Sequence, residues 1–144
     1  MIDRAPVTKA LQGMIAKATG RPCGLGKLPL MNGKPTEVPY TVLYPLGGSV
    51  GGAPLADLSE DAELVYQLTS VAGRADQAEW MADRGRRALL ERGGSGVWLF
   101  PLDVPGVDVW ARELDADDGI DASAAVEGIV TSSQRYRLSA SGSM

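Results

Sequence analysis

The stretch AELVYQLTSVAGRADQAEWMADRGRRALLERGG, residues 62–94, decides the fold because its hydrophobic spacing changes partway along. In its first part apolar and polar residues alternate, which is the spacing of a strand with one buried face, and we predict a strand at 62–72. Apolar residues then recur at helical spacing, which predicts a helix at 75–92 that ends at Gly93-Gly94. The stripe that this helix buries is Ala78, Met81, Ala82, Gly85 and Leu89.

Toward the N-terminus the sequence predicts another helix, at 4–18, whose apolar residues also recur at helical spacing. Asp3 can cap its start, and Gly20 is placed to end it. The following segment, 20–38, is rich in glycine and proline and contains an Asn-Gly turn pair. These residues predict a long surface loop or a loose hairpin.

Further strands are predicted on both sides of this region, where β-branched and aromatic residues are frequent. They are at 39–46, 96–102, 107–114 and 129–140. We expect a mobile glycine-rich loop after the first of them and an acidic loop after the third. The order of elements predicts one α+β domain over residues 1–144. Its mostly antiparallel mixed sheet would have about four to five strands, with two helices packed on one face.

Composition limits the class of protein before any motif is considered. At 144 residues and 44% hydrophobic, the chain can bury one core, and no run approaches the roughly 18 apolar residues of a membrane span. The N-terminus lacks the apolar core of a signal peptide, so we expect a protein made in the cytoplasm, with no membrane association. Histidine is absent, which excludes a Cys/His zinc site, and the single cysteine, Cys23, cannot form an internal disulfide.

Charge is distributed unevenly along the chain. Residues 1–34 hold six bases and one acid, a net +5, whereas residues 103–127 hold eight acids and one base, a net −7. Such a chain can pair with copies of itself, although charged segments that are merely solvated give the same pattern. The overall net charge of −4 argues against a nucleic-acid binder, because affinity for phosphate comes from clustered Lys and Arg.

Two short stretches resemble catalytic or phosphate-binding motifs, and both fail on detail. GGSVG at 47–51 matches a nucleophile elbow, but the chain has no histidine to act as base and no predicted helix after the serine. Residues 20–27 differ from a phosphate loop in the glycine spacing, and Leu28 stands where a magnesium-binding Ser or Thr is needed. We therefore predict no enzymatic activity and no cofactor.

The acidic segment also resembles a calcium loop, formed by Asp115, Asp117, Asp118 and Asp121. Its glycine stands at position 5 instead of 6, and Val126 occupies position 12, where glutamate is required. The fit is poor, and we predict no metal site. A cation- or small-molecule-binding domain, including a metal-dependent hydrolase, stays open as an alternative that would use this segment.

The predicted helix at 75–92 carries a tryptophan on its polar side. Trp80 projects almost opposite the buried stripe, together with Arg84 and Arg87. Because Trp and Arg are enriched where interfaces concentrate their binding energy, we predict that these three residues form a contact patch. Alternatively, the chain's own loops cover Trp80, with Arg84 stacked on its ring. The complementary acidic surface would be Asp115, Asp117 and Asp118.

Several stretches of the chain resemble the tail terminator proteins of siphophages, especially those that infect actinobacteria. The stretches are PYTVLYP at 39–45, PLAD at 54–57, VYQLTSVAG at 65–73, QAEWMADR at 77–84 and RYRL at 135–138. Together they span most of the chain, but they form a loose pattern and include no catalytic fingerprint. The acidic stretch near Asp115 has no counterpart in the resemblance.

The resemblance implies a structural virion protein located at the head-tail junction. Its subunits would form a hexameric ring that caps the tail tube, contacts the major tail protein and joins the tube to head-completion or connector proteins. DNA would pass through the lumen without sequence-specific binding, and an acidic subunit suits a passage that must not grip phosphate. A head-to-tail connector or a tail completion subunit is the alternative within the same class.

Overall fold

The structure, a computed structural model, describes residues 2–51 and 60–142. These residues form the helices α1 (Arg4–Thr19) and α2 (Ala75–Leu90). The strands are β1 (Cys23–Leu25), β2 (Leu30–Met31), β3 (Lys34–Pro35), β4 (Tyr40–Gly51), β5 (Glu60–Ala72), β6 (Val107–Asp121) and β7 (Val130–Gly142). None of the described helices is both long enough and apolar enough to cross a membrane.

Five of the strands form one sheet in the order β1-β4-β5-β7-β6. The pair β1 and β4 is parallel, and the other neighbours are antiparallel. The remaining strands, β2 and β3, form a separate two-stranded hairpin between β1 and β4. This arrangement confirms the predicted α+β fold with a mostly antiparallel mixed sheet.

One face of the sheet is apolar, and both helices pack on it. On β5 the buried side chains alternate as predicted, and Tyr66 and Leu64 lie opposite Tyr136 and Leu138 of β7. The helices add their own buried residues to the same core, chiefly Val7, Leu11, Ile15, Ala88 and Leu89, while Ala78 packs in a smaller cluster with Ala72 and Val130. The opposite face is polar and includes a hydrogen bond between the hydroxyls of Thr69 and Ser133, at 3.0 Å.

The predicted helix boundaries are right for α1 and wrong at one end of α2. Asp3 stands at the N-cap of α1, although its side chain makes no capping hydrogen bond, and Gly20 ends the helix with φ +71°. The second helix ends at Leu90, before the predicted Gly93-Gly94 pair, because Glu91 adopts an extended backbone. The glycines instead form the tight turn that follows.

The glycine-rich segment after residue 46 belongs to β4, so the prediction of a mobile loop there is wrong. The strand continues to Gly51 in register with β5, across an irregularity between Pro45 and Gly47. Gly48 has φ +155°, and a Cβ at this position would collide with the Glu63 carbonyl of β5. Glycine therefore allows the two backbones to approach and pair. The rest of the predicted loop, 52–59, lies outside the described residues.

The predicted strand at 96–102 is also wrong, because this segment folds back onto the end of α2. Within it only an isolated bridge joins Arg92 to Trp98, and Leu99 N donates to Glu91 O at 2.9 Å. Phe100 and Leu102 pack against the core from outside the sheet. Residues typical of strands suit any half-buried surface. At 96–102 the ends of the helices provide that surface, so the segment was mistaken for a strand.

Strand β6 is longer than predicted and absorbs most of the expected acidic loop. It runs from 107 to 121 beside β7, with register shifts after Val109, Leu114 and Asp117. Gly119, with φ +71°, lies within the last of these shifts. The acidic residues at 115–118 thus lie on an edge strand. Aspartate disfavours strands, but the bulges allow β6 to keep pairing with β7.

Arg112 of β6 is buried, has no carboxylate partner among the described residues, and joins three parts of the chain. Its Nη1 donates to Leu89 O, at the C-terminal end of α2, at 3.2 Å, and to Phe100 O at 2.8 Å. Its guanidinium lies 4.6 Å from the ring centroid of Trp98, and Arg92 stacks on the same ring at 4.0 Å. Burial, and secondarily Arg92, lowers the pKa of Arg112 to about 10, so the side chain is charged at neutral pH.

Replacing Arg112 with methionine should lower the free energy of unfolding by about 2 to 4 kcal/mol, because two carbonyls lose their donor. Chemical denaturation measures the loss. The matched control is Arg92→Met, which removes the exposed arginine from the same ring and should cost about 1 kcal/mol or less. Equal losses in the two variants would contradict the assigned role of Arg112.

Replacing Met81 with alanine should cost about 2 to 5 kcal/mol, because the side chain is fully buried beneath α2 and its removal leaves a cavity. Thermal or urea unfolding of the two proteins gives the comparison. A variant as stable as the parent would show that the α2 register is incorrect.

Candidate interface surfaces

The solvent-facing side of α2 carries the predicted patch. Trp80 is 46% exposed, and the Arg84 guanidinium lies 4.3 Å from its ring centroid. Trp80 also borders a shallow pocket with Arg74 and Gln77. Stacking of Arg84 on the ring was expected if the chain's own loops covered Trp80. Trp80 is nevertheless about half exposed, so much of its ring faces solvent. Its role as a contact residue stays a prediction.

Arg87 lies further along the same side of α2. It borders a small cavity of about 120 Å³ together with Arg84, Phe100 and the exposed Leu99. The structure therefore brings Trp80, Arg84 and Arg87 into one strip along the helix. The strip combines aromatic, apolar and cationic groups, which are typical of protein-binding surfaces.

The three predicted acidic residues do not share one surface. Asp115 lies at a bulge and forms an ion pair with Arg137 at 2.9 Å, on the polar face of the sheet. Asp117 turns to the helix face, where its Oδ2 accepts a hydrogen bond from Gln134 Nε2 at 3.2 Å. Asp118 is exposed between Asp117 and Gly119. In a regular strand Asp115 and Asp117, two residues apart, would point to the same face of the sheet. The bulge at Asp115 directs them to opposite faces.

The carboxylates of this segment are satisfied by their own chain. Asp117 Oδ1 accepts from Gly119 N at 2.9 Å, and Asp121 Oδ1 accepts from Ser123 N at 2.9 Å. Hydrogen bonds from the Ser123 side chain and backbone hold the pKa of Asp121 below its usual value. Within residues 2–51 and 60–142, no three acidic, cysteine or histidine side chains are grouped so that they could hold a metal ion.

A groove between α2 and β6 was not foreseen from the sequence. It consists of two pockets along the same helix and strand. Glu79, Asp83, Asp117 and Ile120 line one, and Arg86, Arg87, Leu90, Glu91 and Leu114 line the other. We call it the α2–β6 groove. Its end near Glu79 is acidic and holds about 220 Å³, and its other end, near Leu90, is more apolar.

Buried polar residues of β7 form the floor of the acidic end. Gln134 is 3% exposed, and its Oε1 accepts a hydrogen bond from Tyr136 Oη at 2.6 Å. Burial raises the pKa of Tyr136 well above its usual value, so its hydroxyl remains a donor at neutral pH. The same Gln134 donates to Asp117. This chain of hydrogen bonds fixes the Asp117 carboxylate at the groove.

The hairpin of β2 and β3 lies at the other edge of the sheet, and we call residues 26–38 the arm. Leu30 is 59% exposed and Met31 is 51% exposed, beside the exposed Lys34. The turn uses Asn32 at φ +54° and a glycine, as the Asn-Gly pair predicted. Arg21 secures the base of the arm by donating from Nε to Pro39 O at 2.8 Å.

The two edges of the five-stranded sheet carry opposite charge. The strand β1 forms one edge, and beside it Arg21 and the arm residues Lys27 and Lys34 provide three of the six bases of the 1–34 segment. The strand β6 forms the other edge and carries six acids, and its single base, Arg112, is buried. Four strand spacings of about 4.8 Å separate these edges. The acidic segment of the sequence thus lies along one edge of the sheet, and part of the basic segment lies at the other edge.

Comparison with models of known protein families and with curated proteins finds no match for this chain. The resemblance to siphophage tail terminators therefore stays a prediction from the sequence. Geometry also bears on the nucleophile-elbow motif, since residues 47–51 continue a strand where an elbow requires a sharp turn into a helix.

Replacing Trp80 with alanine should weaken self-association or docking to a partner about tenfold or more, because the residue has the chemistry of an interface centre. The free energy of unfolding should fall by less than about 1 kcal/mol, since the residue is 46% exposed and lies outside the buried core. Light scattering and urea unfolding measure the two effects. Leu46→Ala, at a side chain of similar exposure on β4, is the control. An unfolded Trp80 variant would show that the ring supports the protomer instead.

Proposed function

We propose that this chain is a non-enzymatic structural subunit of a long-tailed bacteriophage virion. Its subunits assemble into a tail terminator ring, which caps the tail tube and joins it to head-completion or connector proteins at the head-tail junction. The resemblance in sequence supports the particular family, and the observation that carries the assembly is the opposite charge of the two sheet edges.

Opposite charges at two separate edges favour a head-to-tail contact between copies. The basic side near β1 and the acidic side at β6 are different surfaces, so each copy can offer one to each neighbour. A contact of this kind closes into a ring when the rotation between subunits permits, whereas a contact of one patch with itself stops at a dimer. Complementary charge also steers the encounter between subunits.

The strip of Trp80, Arg84 and Arg87 supports a further contact with a protein partner. Arg87 also borders the α2–β6 groove, but Trp80 and Arg84 lie on the outer side of α2, away from the sheet, so this end of the strip is free of the contact between sheet edges. In a terminator ring its partners would be the major tail protein or the head-completion protein. The net charge of −4 suits a ring through which DNA passes without being held.

A head-to-tail connector or tail completion subunit is the alternative within this class, because such proteins also assemble through contacts between copies. A cation- or small-molecule-binding domain has less support. The carboxylates of Asp115 and Asp117 already bond to Arg137 and Gln134 of the same chain.

The test is the mass of the purified protein by light scattering at several concentrations, first alone and then with tail tubes assembled from the major tail protein of an actinobacterial siphophage. A terminator should reach a mass near six subunits or bind only at tube ends. Salt near 1 M should weaken the association, since it reduces the Debye length to about 3 Å.

A protein that stays monomeric at every concentration and ignores the tubes would overturn the proposal. Calcium titration by calorimetry tests the remaining alternative, a cation-binding domain. Tight stoichiometric binding would favour a cation-binding domain. Rings that bind the connector but not the tube would favour the connector.

A further inference from the structure

We propose that the arm of one copy occupies the α2–β6 groove of the next copy. The inference rests on the proposed function, because it names the surfaces through which ring subunits meet. The arm is at the basic edge of the sheet and the groove is at the acidic edge, so the two belong to different sides of the protomer.

The arm has the form of a segment that packs against another molecule. Its strands have two residues each and pair only with one another. An isolated two-stranded hairpin is marginal in water, and this one exposes Leu30 and Met31. Hydrogen bonds of Arg21 to Glu37 O and Pro39 O fix its base, so the tip projects in a defined direction.

The groove offers matching chemistry in two parts. At one end Leu90 and Leu114 present apolar surface between Arg86, Arg87 and Glu91, and the two leucines suit the side chains of Leu30 and Met31. At the other end Glu79, Asp83 and Asp117 surround a cavity of about 220 Å³. Asp83 is paired with Arg86 at 3.8 Å, so Glu79 and Asp117 are the carboxylates that suit the ammonium group of a lysine.

Lys34 is the lysine best placed to reach the acidic end. It is exposed and lies across the hairpin from Met31, so one insertion can present an apolar and a cationic side chain together. The cavity wall has little freedom to adjust, because Gln134 holds Asp117 from below. A preformed carboxylate loses less conformational entropy when a cation binds.

Charge reversal and rescue test the contact in the full-length protein. Lys34→Glu and Glu79→Lys should each weaken self-association about tenfold or more in light scattering. A chain carrying both changes should associate within about threefold of the parent, because the pair is restored with reversed sign. The control is Lys9→Glu, which reverses an exposed lysine on α1 outside the arm and the groove and should change the association less than threefold.

Cysteine cross-linking tests the apolar half directly. A mixture of Met31→Cys and Leu90→Cys proteins should form a disulfide-linked heterodimer under mild oxidation, whereas neither variant alone should do so. The natural Cys23 is 7% exposed and should not interfere.

The outcomes separate the two proposals. If the parent assembles into rings but neither charge reversal weakens them, or no cross-link forms, the arm inference is overturned and the ring stands. If self-association is normal but binding to tail tubes is lost, the groove receives the tail protein, which also overturns the inference. A parent that stays monomeric with and without tubes overturns both.

Discussion

Arg112 places a positive charge in the core. The hydrogen bonds that this guanidinium needs fix the positions of the end of α2 and of the segment after it relative to β6. A helix leaves its last carbonyls without donors, and in α2 one of them, on Leu89, receives the guanidinium of Arg112. The same group binds Phe100 O in the segment that returns from the helix, and Trp98 covers it. The end of α2, the 91–103 segment and β6 therefore have fixed relative positions. The α2–β6 groove depends on that placement.

The bulges of β6 determine which chemistry each side of the sheet presents. Without the extra residue at Asp115, alternation would place Asp115 and Asp117 on one face. The bulge instead directs Asp115 to Arg137 on the polar face and leaves Asp117 beneath α2. One carboxylate is thereby neutralised by a partner in its own chain, while the other contributes to an acidic groove. An acidic run in sequence thus becomes two surfaces of different character.

Hydrophobic periodicity in the sequence was sufficient to predict α1, α2 and β5, because each buries one regular face, and residues typical of strands predicted β7. The strand β1 was missed since three residues carry no period, and the extent of β4 was missed since glycine disfavours strands until a neighbour such as β5 pairs with it. The exposed position of Trp80 followed from the helical spacing. The groove could not be predicted, because it forms where α2 lies beside β6, and a single sequence does not show which distant elements are neighbours in the fold.

The irregular pairing of β6 has a consequence for how copies of this chain could meet. An edge strand with a straight backbone presents a row of unpaired amides and carbonyls on which an identical strand can grow, layer upon layer, into a fibre. Three register shifts and six acids break that row along β6. If copies associate as proposed, recognition would depend on shaped side-chain surfaces, and the rotation at each contact would set the size of the assembly.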